Sequence, residues 1–232
     1  MPRRPRTATG GLAYHVLNRA VGRGTLFEKD TDYQAFERVL EQAWHRMHTR
    51  IVCYCLMPNH WHIVLWPRKD GELSEFMRWL TVTHTQRWHA HHQTAGTGPI
   101  YQGRFKSFPI QEDHHCLNVC RYVERNALRA NLVQRAEEWR WGSLWRRRHV
   151  KPEDRAFLLA SSAWPATAPR RWLALVNHAQ TAEEVEALRR SVVRGAPFGN
   201  DRWQKRIAAR LGLASTLRPR GRPKKLRPRN GE

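Results

Sequence analysis

Apolar residues in the first half of the chain follow two periods, one typical of β-strands and the other typical of α-helices. In chain order, the strands and helices that this pattern predicts lie at residues 12–17, 30–47, 50–57, 60–66, 73–92, 104–111 and 113–128. Their order is β-α-β-β-α-β-α, which is the split βαβ arrangement of ferredoxin-like domains plus one helix. We therefore predict an α+β fold in which helices cover one face of the sheet.

Beyond residue 135, prolines interrupt mixed segments in which helical spacing returns at 170–178, 182–189 and 201–211. Residues 216–232 contain seven Lys and Arg and one acidic residue, with interspersed prolines and glycines. This composition predicts disorder in isolation. The second half is thus a helical, basic C-terminal extension. We divide the chain into a basic N-terminal arm, an α+β domain, a mixed helical region and a basic disordered tail, at residues 1–10, 11–135, 136–215 and 216–232.

The charge of the chain points to a polyanionic partner. There are 41 Lys and Arg against 20 Asp and Glu, a formal net charge of +21. Such an excess concentrates polyanions and releases their counterions when phosphates are contacted, so nucleic acid is the expected partner. A membrane surface is the alternative, but no apolar run is long enough to span a bilayer. The basic N-terminus also lacks the apolar segment of a signal peptide, so we expect a cytoplasmic protein with access to the nucleoid.

The spacing of the cysteines supports this location. Cys53 and Cys55 are two residues apart, and Cys116 and Cys120 are four apart. Neither pair has the C-x-x-C spacing of a zinc knuckle or a redox site. We expect buried free thiols.

A pair of histidines opens the third predicted strand. Side chains on a strand alternate between its faces, so His60 and His62 project to the same side while Trp61 points into the core. Two imidazoles so placed on a rigid strand can share one divalent metal ion. In a chain with 13 histidines, two ordinary exposed side chains are an equal alternative. A zinc site that also uses Cys53 and Cys55 is a further alternative.

A polar stripe lies along the third predicted helix, where Asn118, Tyr122 and Asn126 recur every four residues. A single tyrosine at such a place is ordinarily a residue at the edge of the core. A tyrosine oxygen that attacks phosphorus, however, needs its developing charge neutralised and the phosphate oriented. A cation held by His60 and His62, with a carbonyl oxygen from Asn126, would do both. Such a ligand set is compatible with Mg²⁺ or Mn²⁺.

Several segments, in order along the chain, resemble the single-tyrosine HUH transposases. They are His60-Trp61-His62 and the runs at 101–107 and 122–133. Within that family the resemblance is to the REP-associated tyrosine transposases, whose first strand is similar to residues 14–19 and whose tail is similar to residues 194–199 and 216–223.

This resemblance implies a ferredoxin-like catalytic domain with the histidine pair on a central strand. By transfer, His60 and His62 bind the metal, Tyr122 is the nucleophile and Asn126 completes metal binding. Cleavage would leave a 5′-phosphotyrosine link and a free 3′-OH on a single-stranded DNA hairpin with a short flanking guide sequence. The chain departs from the family pattern at Tyr101, Ala127 and Asn131, where relatives often have Trp, Pro and Gly.

Basic residues near these motifs are candidate DNA contacts. Arg19 is the last residue of the segment at 14–19. Arg104 and Lys106 alternate on the fourth predicted strand, where they could contact the DNA backbone while Phe105 points inward. A solvated charged face is the alternative. An extended Arg-rich segment in the tail resembles a hook for the minor groove, with a non-specific electrostatic tail as the alternative. Its candidate contacts are Arg218, Arg220 and Arg222.

Three functions follow from these observations. The first is a metal-dependent endonuclease-transposase, the second a non-catalytic nucleic-acid-binding regulator that uses the basic surface, and the third a zinc-stabilised binding protein. The combination of His60, His62 and Tyr122 favours the first. A monomer and a homodimer are equally compatible with the sequence.

Overall fold

The computed structural model describes residues 8–218, and its central feature is a four-stranded antiparallel sheet. In chain order the strands are β1 (Ala13–Arg19), β2 (Arg50–Met57), β3 (His60–Trp66) and β4 (Lys106–Ile110). They stand side by side in the order β2-β3-β1-β4, so β3 lies between β1 and β2. This is the predicted split βαβ arrangement, and the α+β fold class is confirmed.

The helices of the first half follow the predicted order. They are α1 (Asp30–Met47), α2 (Glu72–His92), α3 (His114–Glu124) and α4 (Asn126–Arg129). The single helix predicted over 113–128 is divided at Arg125, a turn residue with a φ of −83° and a ψ of −1°. Asp113 caps α3, because its carboxylate accepts a hydrogen bond of 2.8 Å from the backbone N–H of His115.

The second half is also largely helical. Its helices are α5 (Ser143–His149), α6 (Trp172–Asn177), α7 (Ala182–Arg194), α8 (Asp201–Arg210) and α9 (Ala214–Leu217). The predicted disordered tail begins inside α9, and its part beyond Arg218 lies outside the described residues. Between residues 8 and 218, the helices are all too short or too polar to cross a bilayer.

Helices cover both faces of the sheet, so the prediction that they cover one face is wrong. Helices α1 and α2 pack on one face, against Trp61, Ile63 and Leu65 of β3. Helices α3, α5, α6 and α7 pack on the opposite face, against Val64 and Phe108. The physical reason lies in the two inner strands, β1 and β3, because residues 13–18 and 61–65 are buried without alternation, and such strands need cover on both sides.

A buried carboxylate ties the second half to α3. Glu124 accepts hydrogen bonds of 2.7 Å from the hydroxyl of Ser143, the guanidinium of Arg147 and the indole of Trp172. These three partners belong to α5 and α6, which therefore share a core with the helix that carries Tyr122. The boundary drawn at residue 135 stays a prediction.

The backbone conformation of Asn131 explains why asparagine can stand where the family pattern has glycine. Its φ is 56°, which lies in the left-handed region that glycine adopts most easily and asparagine tolerates. The glycine that the resemblance implies at this position would meet the same requirement of the turn that follows α4.

Candidate active site

The two predicted metal-binding histidines lie on the face of the sheet that α3 covers. Their ring centroids are 5.0 Å apart and the ring planes are nearly perpendicular, at 82°. His62 is buried, whereas His60 stands at the first position of β3 and keeps partial access to solvent. The predicted alternation is confirmed at Trp61, which is buried in the opposite core.

A third histidine, not predicted from the sequence, completes this group. His15 of β1 is fully buried, and its Nε2 atom lies 2.8 Å from Nδ1 of His62. The two rings stack with their centroids 5.0 Å apart. The pairing of β1 with β3 places His15 opposite Val64 and therefore diagonal to His62. The signal for His15 in the sequence is its place on a strand that the ferredoxin-like order puts beside the histidine pair.

Hydrogen bonds at the ring nitrogens indicate which atoms could hold a metal. Nδ1 of His60 lies 2.6 Å from the amide oxygen of Asn59 and donates to it when protonated, which leaves the Nε2 lone pair free. If Nδ1 of His62 likewise donates to His15, its own Nε2 is free as well. Within residues 8–218, Nδ1 of His15 is buried without a hydrogen-bond partner. The pair His60 and His62 therefore fits a divalent cation bound through two Nε2 atoms.

Burial keeps the three imidazoles neutral near pH 7. It lowers the pKa of His60 to about 4, with smaller contributions from Arg19 and Arg129. It lowers the pKa of His15 to about 3, and Arg129 acts in the same direction. The pKa of His62 falls well below its ordinary value because of burial and then the neighbouring histidines. Neutral imidazole is the form that ligates metal ions.

Tyr122 faces this group from α3. Its ring centroid lies 5.9 Å from that of His62 and 6.4 Å from that of His15, edge-on in both cases. Neighbouring apolar side chains of α3 pack on the sheet, so the helix holds the tyrosine in place with 7% of its surface exposed. The structure thus brings the predicted nucleophile and the histidine pair together.

Asn126, the predicted third ligand, has a different partner. Its amide oxygen accepts a hydrogen bond of 2.7 Å from Nη2 of Arg129, and its Nδ2 is buried without a partner among the described residues. The guanidinium of Arg129 also lies 3.9 Å above the ring of Tyr122. Asn126 is therefore near the site, but its oxygen is engaged by a side chain that the sequence had not singled out.

An open cleft of about 810 Å³ leads to these residues. Besides the histidine pair, Tyr122 and Asn126, its lining consists of Leu17, Asn18, Arg19, Gln102, Gly103, Arg104, Lys106, Arg129, Arg189, Val192 and Val193. Aspartate and glutamate are absent from this lining, as far as residues 8–218 describe it. The cleft is therefore a basic groove that matches a polyanionic strand.

Three of the predicted DNA contacts lie in this cleft. Arg19, Arg104 and Lys106 all line it, while Phe105 is buried in the core as predicted. Of the predicted contacts in the tail, Arg218 is outside the lining, and its carbonyl accepts a hydrogen bond from Arg194. The other two, Arg220 and Arg222, lie outside the described residues.

One wall of the cleft was not predicted. Arg189, Val192 and Val193 come from α7, in the region described from the sequence only as mixed and helical. Half of the surface of Val193 is exposed, at 52%. Because α7 lies far along the chain from the histidine pair, its position depends on packing that no local pattern encodes.

The cysteines do not join the histidines in a zinc site. All four are free and buried, as predicted, and burial raises the pKa of the Cys55 thiol to about 12. In the described part of the chain, the one group of three or more His, Cys, Asp or Glu close enough to share an ion is Asp113, His114 and His115. That group lies at the start of α3, where the Asp113 carboxylate is already engaged as the helix cap.

Comparison with known proteins identifies a family for the first half of the chain. The family model described as "Transposase IS200 like" matches residues 8–126, just over half of the chain. A solved REP-associated tyrosine transposase bound to a REP hairpin is 19% identical, with a TM-score of 0.50 over 63% of this chain and 84% of that one. At this identity the match shows a shared fold.

A second structure is more distant. It is described as a putative transposase from Deinococcus radiodurans and is 15% identical over 57% of this chain and 94% of that one, with a TM-score of 0.39. Comparison with curated proteins gives no significant match. Because this family model matches more than half of its length, the chain belongs to the IS200-like transposases, a family of DNA-cleaving enzymes.

Proposed function

We propose that this protein cleaves and rejoins single-stranded DNA through a covalent bond to Tyr122, as a REP-associated tyrosine transposase. The observation that carries the proposal is the position of Tyr122, whose ring lies 5.9 Å from that of His62 at a basic cleft. A tyrosine, two neutral imidazoles and a basic surface lie at one place, although they come from distant parts of the chain, and this supports the proposal.

The histidine pair would hold the divalent ion. When bound, Mg²⁺ or Mn²⁺ supplies positive charge that polarises the scissile phosphate. The chain supplies the rest, because His15 orients His62 and Asn59 orients His60. Asn126 can serve as a third ligand once its amide oxygen leaves Arg129.

The bonds in the proposed cleavage balance without an external energy source. The Oη atom of Tyr122 attacks phosphorus, a phosphotyrosine bond to the 5′ side forms, and the bond from phosphorus to the 3′ oxygen breaks. The phenol loses one proton and the 3′ oxygen gains one, so no net proton, nucleotide or oxidant is consumed. Attack by a 3′-OH on the phosphotyrosine reverses the step and rejoins the strand.

We propose hairpin-bearing single-stranded DNA as the substrate. The structurally similar REP-associated transposase was solved with a REP hairpin, and the net charge of +21 suits such a ligand. Arg19, Arg104 and Lys106 would contact the backbone in the cleft. In the tail, Arg218, Arg220 and Arg222 would contact the minor groove of the hairpin stem.

A labelled hairpin tests this proposal. The protein is incubated with 5′- and 3′-labelled hairpin DNA and Mn²⁺, and a denaturing gel is examined for a covalent adduct. We expect an adduct that needs the metal and disappears in Tyr122→Phe but persists in Tyr33→Phe, a matched change of a tyrosine that stacks on Trp141 in the opposite core. Tight binding without an adduct would instead support the regulator that uses the basic surface alone.

A further inference from the structure

Arg129 is the cation closest to the ring of Tyr122 among the described arginine contacts. Its guanidinium carbon lies 3.9 Å from the ring centroid. Nη2 donates to the amide oxygen of Asn126 at 2.7 Å, and Nη1 donates to the backbone oxygen of Tyr122 at 3.3 Å. The guanidinium is therefore fixed beside the proposed nucleophile, on the side of the cleft.

Arg129 lacks the partner that comparable arginines in this chain have. Arg146 and Arg147 are mostly buried, and each forms an ion pair of 2.7 Å, with Glu37 and Glu124 respectively. Within residues 8–218, no carboxylate lies within ion-pair distance of Arg129, and the cleft lining contains none. Burial lowers the pKa of Arg129, and Arg189 and Arg125 act in the same direction, while Tyr122 opposes them.

A partly buried guanidinium without a counter-ion is costly unless a ligand supplies the negative charge. Two of its donors are engaged by neutral oxygens, which guanidinium exchanges readily for the two oxygens of a phosphate. The site faces an open basic cleft, so the counter-ion can enter from solvent. A phosphodiester of the DNA strand has the required charge and shape.

We propose that Arg129 is a catalytic residue that binds the non-bridging oxygens of the scissile phosphate beside Tyr122. This inference rests on the proposed function. Negative charge on those oxygens and on the attacking and leaving oxygens must be neutralised in phosphoryl transfer, and a preorganised guanidinium provides this. When Arg129 turns to the phosphate, it releases the amide oxygen of Asn126.

Hairpin DNA in which one phosphate is replaced by an uncharged methylphosphonate tests the contact between Arg129 and the phosphate, and it needs neither cleavage nor metal. On a Tyr122→Phe background in EDTA, hairpin DNAs are prepared with one methylphosphonate at each position of the single-stranded flank in turn. With Arg129 present, we expect loss of charge at one position to weaken binding about tenfold. In the Arg129→Gln variant, the methylphosphonate at that position should leave the affinity for the hairpin unchanged. Arg190→Gln, an equal charge change at an exposed neighbour of the cleft residue Arg189, should leave the tenfold penalty intact.

Equal penalties with and without Arg129 at every position would overturn the inference. If the wild-type chain forms the Tyr122 adduct while no phosphate depends on Arg129 for its contribution to binding, that result would overturn the role of Arg129 and leave the proposed cleavage standing. The reverse result, an Arg129-dependent phosphate but no adduct, would overturn the proposed cleavage and leave Arg129 as a DNA-binding residue. As an activity readout, Arg129→Gln should lower the single-turnover rate about 10²–10³-fold, and Arg129→Lys should restore part of it. Full activity of Arg129→Gln would also contradict the proposal.

Discussion

The Nε2 atom of His15 lies 2.8 Å from the Nδ1 atom of His62, so a buried histidine of β1 orients a candidate metal ligand of β3, its neighbour in the sheet. Partners of this kind fix the tautomer and the ring angle of a ligating imidazole. The arrangement gives His15 a positioning role that is independent of contact with DNA.

We predict that His15→Ala weakens Mn²⁺ binding by about 10- to 100-fold, because His62 loses the acceptor that fixes its ring. His15→Gln should recover part of the affinity, since its amide oxygen can accept the same bond. Isothermal titration calorimetry measures the change, with His45→Ala, an exposed position on α1, as the control. Unchanged Mn²⁺ affinity in a folded His15→Ala protein would remove the positioning role.

Glu124 should be a large contributor to stability. Its carboxylate is fully buried and paired with Arg147, so Glu124→Ala leaves a guanidinium without its partner. We expect the free energy of unfolding to fall by about 3–5 kcal/mol. Urea unfolding monitored by tryptophan fluorescence gives the value, and Glu186→Ala on the exposed side of α7 should change it by less than about 0.5 kcal/mol. Equal effects of the two changes would show that this network contributes little.

His84 should make stability depend on pH. Burial lowers its pKa to about 3, with Asp32 opposing and His92 adding to the shift, and its Nδ1 lies 2.7 Å from the hydroxyl of Tyr101. Between its ordinary pKa of 6.5 and about 3, the unfolded chain binds a proton that the folded chain does not. The stabilisation is therefore complete above 6.5 and is lost as the pH falls.

The His84→Gln variant isolates this contribution. Its free energy of unfolding should fall less steeply than that of the wild type between pH 6 and pH 4, by up to about 1.4 kcal/mol per pH unit. Urea titrations at three pH values measure the two slopes. Parallel slopes would mean that His84 does not titrate differently in the folded and unfolded chains.

Arg104 should contribute to DNA affinity through charge alone. It is exposed in the cleft lining, so Arg104→Gln should weaken binding of all hairpin sequences alike. The slope of log affinity against log salt should decrease by about 0.7, the value for one phosphate contact on a single strand. Fluorescence anisotropy at several salt concentrations measures it, and an unchanged slope would place Arg104 outside the DNA path.

Local patterns were sufficient for the elements that hold the candidate site residues. Alternation along β3 predicted that His60 and His62 share a face, and apolar spacing predicted the helix that holds Tyr122. These features depend on short-range geometry, which periodicity encodes directly. The motifs that resemble known transposases supplied the expected reaction, which no single pattern could.

Other features depend on contacts between distant segments. His15 reaches His62 only because of the register between β1 and β3. The second layer of helices covers inner strands that are buried on both sides, and a run of buried residues is equally compatible with other arrangements. Arg129 contacts Tyr122 from a separate short helix, α4. Helix α7 forms a wall of the cleft although it begins more than fifty residues after Tyr122 in the sequence. Such relationships are tertiary, so the sequence alone did not reveal them.

The most direct test of the central claim identifies the atom that joins protein to DNA. After reaction with hairpin DNA and Mn²⁺, the protein is digested with nuclease and protease, and the peptides are sequenced by mass spectrometry. We predict a nucleotide attached through phosphate to Tyr122, and no modified peptide when His60 and His62 are both changed to alanine. A nucleotide on another residue, or no modified peptide from wild-type protein that binds the hairpin, would contradict the account.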